Sequence, residues 1–400
     1  MKLLQLSTLK FVLGIFEILY FFPLLIFTFL SRFYPRRFDI GLGPIPMINN
    51  VYHKKALQLF GYEVETFVSK LFFITDNFDT KFVFKINFLH TLFIRVLHID
   101  FIYSIFRHKC LYLYFNGGCL QSSILLWRLE PFLLGIAGIK TVVMPYGGDI
   151  SKMDRTPNLL YKHTLSLDYP NYKFRNNRIE TQIDLWSKSA NHVIGGCDWV
   201  DYMHHWDTLM IAHFSIDLER ANKKDFKFPK NGNKIRILHA PNHRNIKGTE
   251  FVIEAIKKLQ EEGENIELKL LEKVSNDVVL KEIESADLVI DQLVIGWYAM
   301  FTLEALSLGT PVVCYLREDL LELYKNTLLL NDNDPPIFST EPRKLLSDLR
   351  VLIHDYDLLK DLSNRGPKYV KEHHSIDYIG SVFHEINGQI GVMPSNPNSP

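Results

Sequence analysis

The chain has 400 residues, 47% of them hydrophobic, and its 45 Lys and Arg balance 45 Asp and Glu. That length suits two domains, and the apolar content is ample for two cores. A net charge of zero argues against general nucleic-acid binding, which counterion release from phosphates drives, so any phosphate chemistry must be local.

Residues 1–37 form a hydrophobic N-terminal segment. Its uninterrupted apolar run covers only Ile18 to Leu30, shorter than the roughly 20 residues a span needs. Extension back to Leu9 takes in Lys10 and Glu17. Arg32, Arg36 and Arg37 follow, which by the positive-inside rule would leave the rest of the chain in the cytoplasm. No small-x-small cleavage site follows the run. A buried or interfacial helix and a membrane anchor both stay open; the balance tips to membrane association.

Beyond it, strands and helices alternate. "FDIGLGPIPMINN" is a strand entering a Gly/Pro loop, "NVYHKKALQLFGY" a helix ending near Gly61, and "EVETFV" a strand. Residues 81–109 are aromatic, apolar and basic; a core helix is favoured over a face lying on an anionic membrane. "KCLYLYFNGG" and "IKTVVMPYGGD" are strand-then-loop units ending in glycines. A hinge falls near residues 226–233. "KIRILHAP", "IELKLLE", "DLVIDQLVI" and "PVVCYL" are strands. Between them lie the helices "TEFVIEAIKKLQEEG", "NDVVLKEIESA" and Ala299–Leu308. Short apolar strands alternating with helices mean parallel sheets covered on both faces. The expected division is 38–228 and 229–375 for two Rossmann-like domains, 376–390 for a helix crossing back, and 391–400 for a disordered Pro/Asn/Ser-rich tail.

In such sheets ligands bind beyond the carboxyl ends of the strands. After "IRILHAP" come Asn242, Arg244 and Lys247, then Gly248-Thr249 opening a helix. Cations beside a helix start make an anion site, and a solvated basic loop is the even alternative. After "DLVIDQLVI" come Gly296, Trp297 and Tyr298, with a glycine that would let a phosphate approach. Glu304 is the one charged residue between Asp291 and Arg317, flanked by Met300, Phe301 and Leu308 on one helical face. A solvated stripe does not explain it.

The stretch "ADLVIDQLVIGWYAMFTLEALSLGTPVV" resembles the C-terminal signature of GT-B-fold glycosyltransferases, particularly those of family 4, whose helix reads E-A-x-x-x-G-x-P-V. "HAPNHRNIKGTEFVIEAI" resembles the basic donor loop, "TVVMPYGGD" the strand ending in H-G-x-D, and "RGPKYVKEHHSIDYI" the closing helix. The resemblance covers roughly residues 38 to 390. It implies two Rossmann-like domains facing a cleft and transfer of a sugar from a nucleotide-diphosphate sugar. Glu304 would then accept hydrogen bonds from ribose hydroxyls, and Asn242, Arg244, Lys247, Gly296 and the N–H groups of Trp297 and Tyr298 would hold the diphosphate. Asp149 would face the reacting sugar from the other domain. Two departures stand out. The first glutamate of E-x7-E is Gly296 here, and the histidine of H-G-x-D is Tyr146. The family's usual course is retention without an enzymic nucleophile.

Asp332-Asn333-Asp334 and His354-Asp355-Tyr356-Asp357 contain D-x-D, which chance, loops and solvated helix faces explain; no metal or other cofactor is expected. His204-His205 and His373-His374 are adjacent pairs that point apart. Cys110, Cys119, Cys197 and Cys314 lack CxxC spacing and read as reduced thiols of a cytoplasmic protein. The expectation is a membrane-associated enzyme on the cytoplasmic face, binding a nucleotide-sugar donor and a saccharide or lipid-linked acceptor but no nucleic acid. A nucleotide-sugar epimerase on the same fold and a non-catalytic nucleotide-sugar-binding or scaffold protein are the alternatives.

Overall fold

A computed structural model describes residues 2–72, 75–220, 226, 228, 229 and 234–397. Runs of β-branched and aromatic residues between Gly/Pro turns make two sheets in which every pairing is parallel. The first holds β1 (Phe38–Leu42), β2 (Val64–Val68), β3 (Thr80–Lys81), β4 (His108–Tyr114), β5 (Lys140–Met144), β6 (His192–Gly195) and β7 (Thr208–Leu209) in the order β3-β2-β1-β4-β5-β6-β7. The second holds β8 (Ile235–His239), β9 (Ile266–Leu270), β10 (Leu288–Ile290), β11 (Val312–Cys314) and β12 (Phe338–Ser339) in the order β12-β11-β10-β8-β9. All five residues of β2 are buried, as a strand covered on both faces requires. The expected two-domain parallel architecture is what the chain adopts. The anticipated hinge at 226–233 lies largely outside the described residues.

After the helix Tyr356–His373 the chain returns to the first domain. Ile216 N–H donates to the His374 carbonyl at 2.7 Å, and Ile376 N–H donates to the Ile216 carbonyl at 3.1 Å. The helix Ile376–Gln389 then packs on Asn49–Leu59. Gly380 permits the approach, since a Cβ there would sit 2.6 Å from the Ala56 carbonyl oxygen. Phe383 and Ile386 join the apolar core beside β1 and β4.

Three sequence expectations change. "DLVIDQLVI" leaves the sheet after Ile290, because Asp291 turns to Lys247 and Leu293 N–H donates to the Lys247 carbonyl at 3.2 Å. Residues 81–109 divide: Ile99–Arg107 buries Phe101 and Ile105 in the first core, while Ile86 and Phe88 are exposed. The tail is not free throughout. Val392 is buried, Ser395 donates to Asp39 through its N–H and hydroxyl, and Asn396 bonds to Gly61 and Glu63.

Among the described residues, the helix stretch Phe11–Ser31 is long and apolar enough to cross a membrane by length and composition. Part of its surface is docked on the first domain. Glu17 is buried and accepts N–H bonds from Ile124, Leu125 and Leu126 at 2.8, 2.7 and 3.3 Å. Tyr20 donates to the Leu97 carbonyl at 2.6 Å, and Leu24 is fully buried in the core. Phe11, Ile18, Leu19, Phe22 and Ile26 stay exposed.

Candidate functional site

The carboxyl ends of β8, β9 and β10 bring the expected donor residues to one edge of the second sheet. The helix Met300–Ser307 forms from an apolar run with good helix formers and carries Glu304, which is 4% exposed. Its Oε1 accepts from Asn276 Nδ2 at 2.7 Å, and its other oxygen has no partner among the described residues. Burial pushes the Glu304 carboxyl up to about 7; the Asn276 bond opposes this and nearby Asp291 adds to it. Asn276 opens the helix after β9 and lines a cavity of about 410 Å³ between the domains. The opposite wall comes from the first domain: Ile48, Tyr52, Phe72 and Asn77. A carboxylate with a spare acceptor therefore stands one hydrogen bond behind the cleft wall.

The basic loop is present, but its cations are engaged within the domain. Arg244 Nη2 lies 2.7 Å from Glu250 and its Nη1 2.9 Å from Glu272. Lys247 Nζ lies 2.6 Å from Asp291, whose other oxygen accepts from the Thr302 hydroxyl at 2.7 Å. Asp291 is fully enclosed, so this pair is the stronger lock. Asn242 is exposed, with no hydrogen-bond partner among the described residues. His243 meets Tyr169 of the first domain at 2.7 Å, and Asp168 accepts from Asn245 Nδ2 and Ile246 N–H, which fixes the loop across the cleft.

Gly296 has a reason other than the expected one. Its φ is +100°, and a Cβ would lie 2.6 Å from the Arg317 side chain, whose stem fills the space expected for a phosphate. Arg317 goes on to pair with Asp201 of the first domain and with Asp319. Trp297 and Tyr298 bury their rings: the indole packs on Tyr298 and Tyr324, and the Tyr298 hydroxyl meets Tyr369 at 2.6 Å and His374 at 2.9 Å. Only their backbone can serve a ligand, and the N–H groups of both lack acceptors among the described residues.

Asp149 does not face the cleft as expected. It is fully buried and accepts N–H bonds from Phe115 at 2.9 Å and from Tyr146 and Gly147 at 3.0 Å, which ties the loops after β4 and β5 together. Burial raises it to about 6 against those bonds. Tyr146 is half-buried beside Tyr114, and its hydroxyl accepts from Asn116 Nδ2 at 3.5 Å. Of the expected first-domain pair, Tyr146 is the one that is partly exposed, against the core beside β1 and β4.

One acid of each D-x-D serves structure. Asp334 lies 3.6 Å from Arg365, and Asp355 caps the helix Tyr356–His373 by accepting from Leu358 N–H. Sequence reasoning missed Asn276 and Asp291. Asn276 shows no signal beyond opening a helix, and Asp291 had one: it is the last charge before the apolar stretch.

Comparison with solved structures bears on the frame that carries these residues. A sucrose-phosphate synthase from Thermosynechococcus elongatus superposes with a TM-score of 0.56 at 11% identity, covering 89% of this chain and 99% of its own. An alpha-glucosyltransferase in complex with UDP and a 13-mer DNA superposes at 0.54 with 14% identity, covering 88% and 100%. The fold is GT-B. Anabaena HepE, solved in complex with UDP, is a third GT-B structure at 0.51 and 11% identity, covering 88% of this chain and all of its own. No family model matches the sequence, and no curated protein sequence matches it. In GT-B terms, the cavity beside Asn276 lies in the cleft between the two Rossmann-like halves.

Proposed function

We propose that the chain is a glycosyltransferase of the family 4 kind, moving a sugar from a nucleotide-diphosphate sugar to a saccharide acceptor. The observation that carries this is Glu304, enclosed on the helix after β10 with one acceptor oxygen unused, directly behind the cleft residue Asn276. A buried acid with a spare acceptor suits the paired hydroxyls of a ribose. Arg244 and Lys247 would leave Glu250, Glu272 and Asp291 to meet the diphosphate. There they would stabilise the charge that grows as the glycosidic bond breaks. Two of the GT-B structures carry UDP, which makes UDP the first ligand to test.

The acceptor is lipid-linked in this proposal, and the enzyme works at the cytoplasmic face of a membrane in polysaccharide or glycolipid assembly. The exposed apolar side of the N-terminal helix supports that placement. Transfer is metal-independent and retaining, and Tyr146 takes the cleft position from which the first domain meets the donor. Calorimetry against uridine, guanosine, adenosine and thymidine diphosphates, followed by donor hydrolysis with and without EDTA, tests the reading. Binding and slow metal-independent hydrolysis are expected. Binding without any turnover points to a scaffold, and reversible conversion of the donor sugar without acceptor points to an epimerase.

A further inference from the structure

The first domain holds a concentration of positive charge that donor binding does not use. Arg128 and Arg178 lie over the same Trp127 ring, 4.2 and 4.7 Å from its centroid. Arg175 leads into the helix Asn176–Ser189, one turn before Arg178, and lies over Tyr172 at 5.2 Å. Lys70, two residues beyond β2, lies 5.1 Å from the Phe72 ring, and Phe72 lines the cavity between the domains. Partial desolvation lowers the Lys70 ammonium, and repulsion from Arg175 and Arg95 lowers it further. Desolvation likewise lowers Arg178, with repulsion from Arg175 and Arg128. Lys70, Arg128, Arg175 and Arg178 are exposed, and none is ion-paired among the described residues. Glu180, two residues from Arg178, is taken by Lys152 at 2.6 Å and Arg155 at 2.9 Å.

The cluster sits on the cleft side. Lys70 follows β2, and Arg128 lies in the long loop after β4. Arg175 and Arg178 rest against the loops after β4 and β5: Tyr172 donates to the Gly148 carbonyl at 2.9 Å, and Arg178 donates to the Gln121 carbonyl. Three buried carboxylates hold these loops by their backbone. Glu17 binds 124–126, Glu130 accepts from Gly118 and Leu120 at 3.0 Å, and Asp149 accepts from Phe115. Mutually repelling cations held by so constrained a frame favour a multiply charged anion between them. We propose that Arg128, Arg175 and Arg178, with Lys70 beside the cavity, bind a phosphate or diphosphate group of the acceptor. Phe72 beside Lys70 and Phe174 next to Arg175 in the chain leave exposed rings for its apolar part. The assignment to an acceptor rests on the glycosyltransferase reading.

The test titrates inorganic pyrophosphate into the full chain in detergent, with UDP saturating the donor side. Pyrophosphate is expected to bind, and Arg175→Ala/Arg178→Ala to weaken it at least about tenfold while the UDP isotherm is unchanged. Arg128→Gln, a single exposed change, guards against a damaged fold and should weaken pyrophosphate alone. Farnesyl diphosphate binding tighter than pyrophosphate marks a lipid-linked source; glucose 6-phosphate binding tighter marks a soluble one. Unchanged pyrophosphate binding in both variants overturns the assignment. So does a DNA duplex that binds more tightly and is lost in the same variants. If UDP binds no version of the chain, the donor reading fails, and pyrophosphate alone, titrated into the same variants, still decides the cluster.

Discussion

Replacing Glu304 by Gln should move stability and donor affinity in opposite directions. The parent carboxyl is raised from 4.5 to about 7, chiefly by burial. A raised acid binds more protons folded than unfolded, so its ionised form opposes folding, and stability falls as pH rises from the unfolded value through about 7. That difference is about 3 kcal/mol at pH 8, at about 1.4 kcal/mol per pH unit. The Glu304→Gln side chain keeps the oxygen that accepts from Asn276 and carries no charge, so the variant should melt higher at pH 8 by several degrees. Its second acceptor oxygen becomes an NH₂ donor, so one ribose hydroxyl loses its partner, at about 1–3 kcal/mol of affinity. Scanning fluorimetry and calorimetry with UDP-glucose, whose diphosphate does not titrate near neutrality, read both quantities. The parent should bind about tenfold more weakly at pH 6 than at pH 8, because the carboxylate is then mostly protonated, and the variant should show a flat profile. The 2′-deoxyribose analogue should bind the parent poorly and lose little more in the variant. A variant that melts lower and binds UDP-glucose as the parent does would make Glu304 a structural carboxylate and refute the donor site.

Lys247→Ala should lower both stability and UDP binding, since it strands buried Asp291 at roughly 3 kcal/mol. Lys247→Ala/Asp291→Asn should recover the melting temperature but not the binding; recovery of both would make the pair purely structural. Glu17→Ala should cost roughly 3 kcal/mol in a denaturant titration by leaving three N–H groups, that of Leu126 buried, without their acceptor. An unchanged midpoint would show the helix to be loosely attached. Ile18→Ser/Phe22→Ser on the exposed side should leave the midpoint unchanged and reduce co-sedimentation with phosphatidylglycerol vesicles; undiminished sedimentation would move membrane attachment elsewhere.

What could be read from the sequence follows the range of the interaction. The alternation of short apolar strands and helices and the helix around Glu304 are local patterns, and the fold reproduces them. The basic residues of 242–247 were visible, but their pairing with Glu250, Glu272 and Asp291 depends on loops after three different strands. Asp149 marks the limit. The resemblance to H-G-x-D turned it toward the reacting sugar, while the N–H of Phe115, 34 residues earlier, draws it inward. Gly296 read as room for a phosphate because nothing in the sequence puts the Arg317 stem across it. The cation cluster was illegible for the same reason, being gathered from residues 70 to 178.

The grip of Glu17 on residues 124–126 changes what the N-terminal helix is for. A flexible anchor sets only how far an enzyme strays from a surface, and its linker length governs reach. Here the helix is bolted to the loop that carries Arg128. Whatever its outer side rests on therefore sets the tilt and height of the cleft, so an acceptor held in that surface would meet the first domain at one angle and depth.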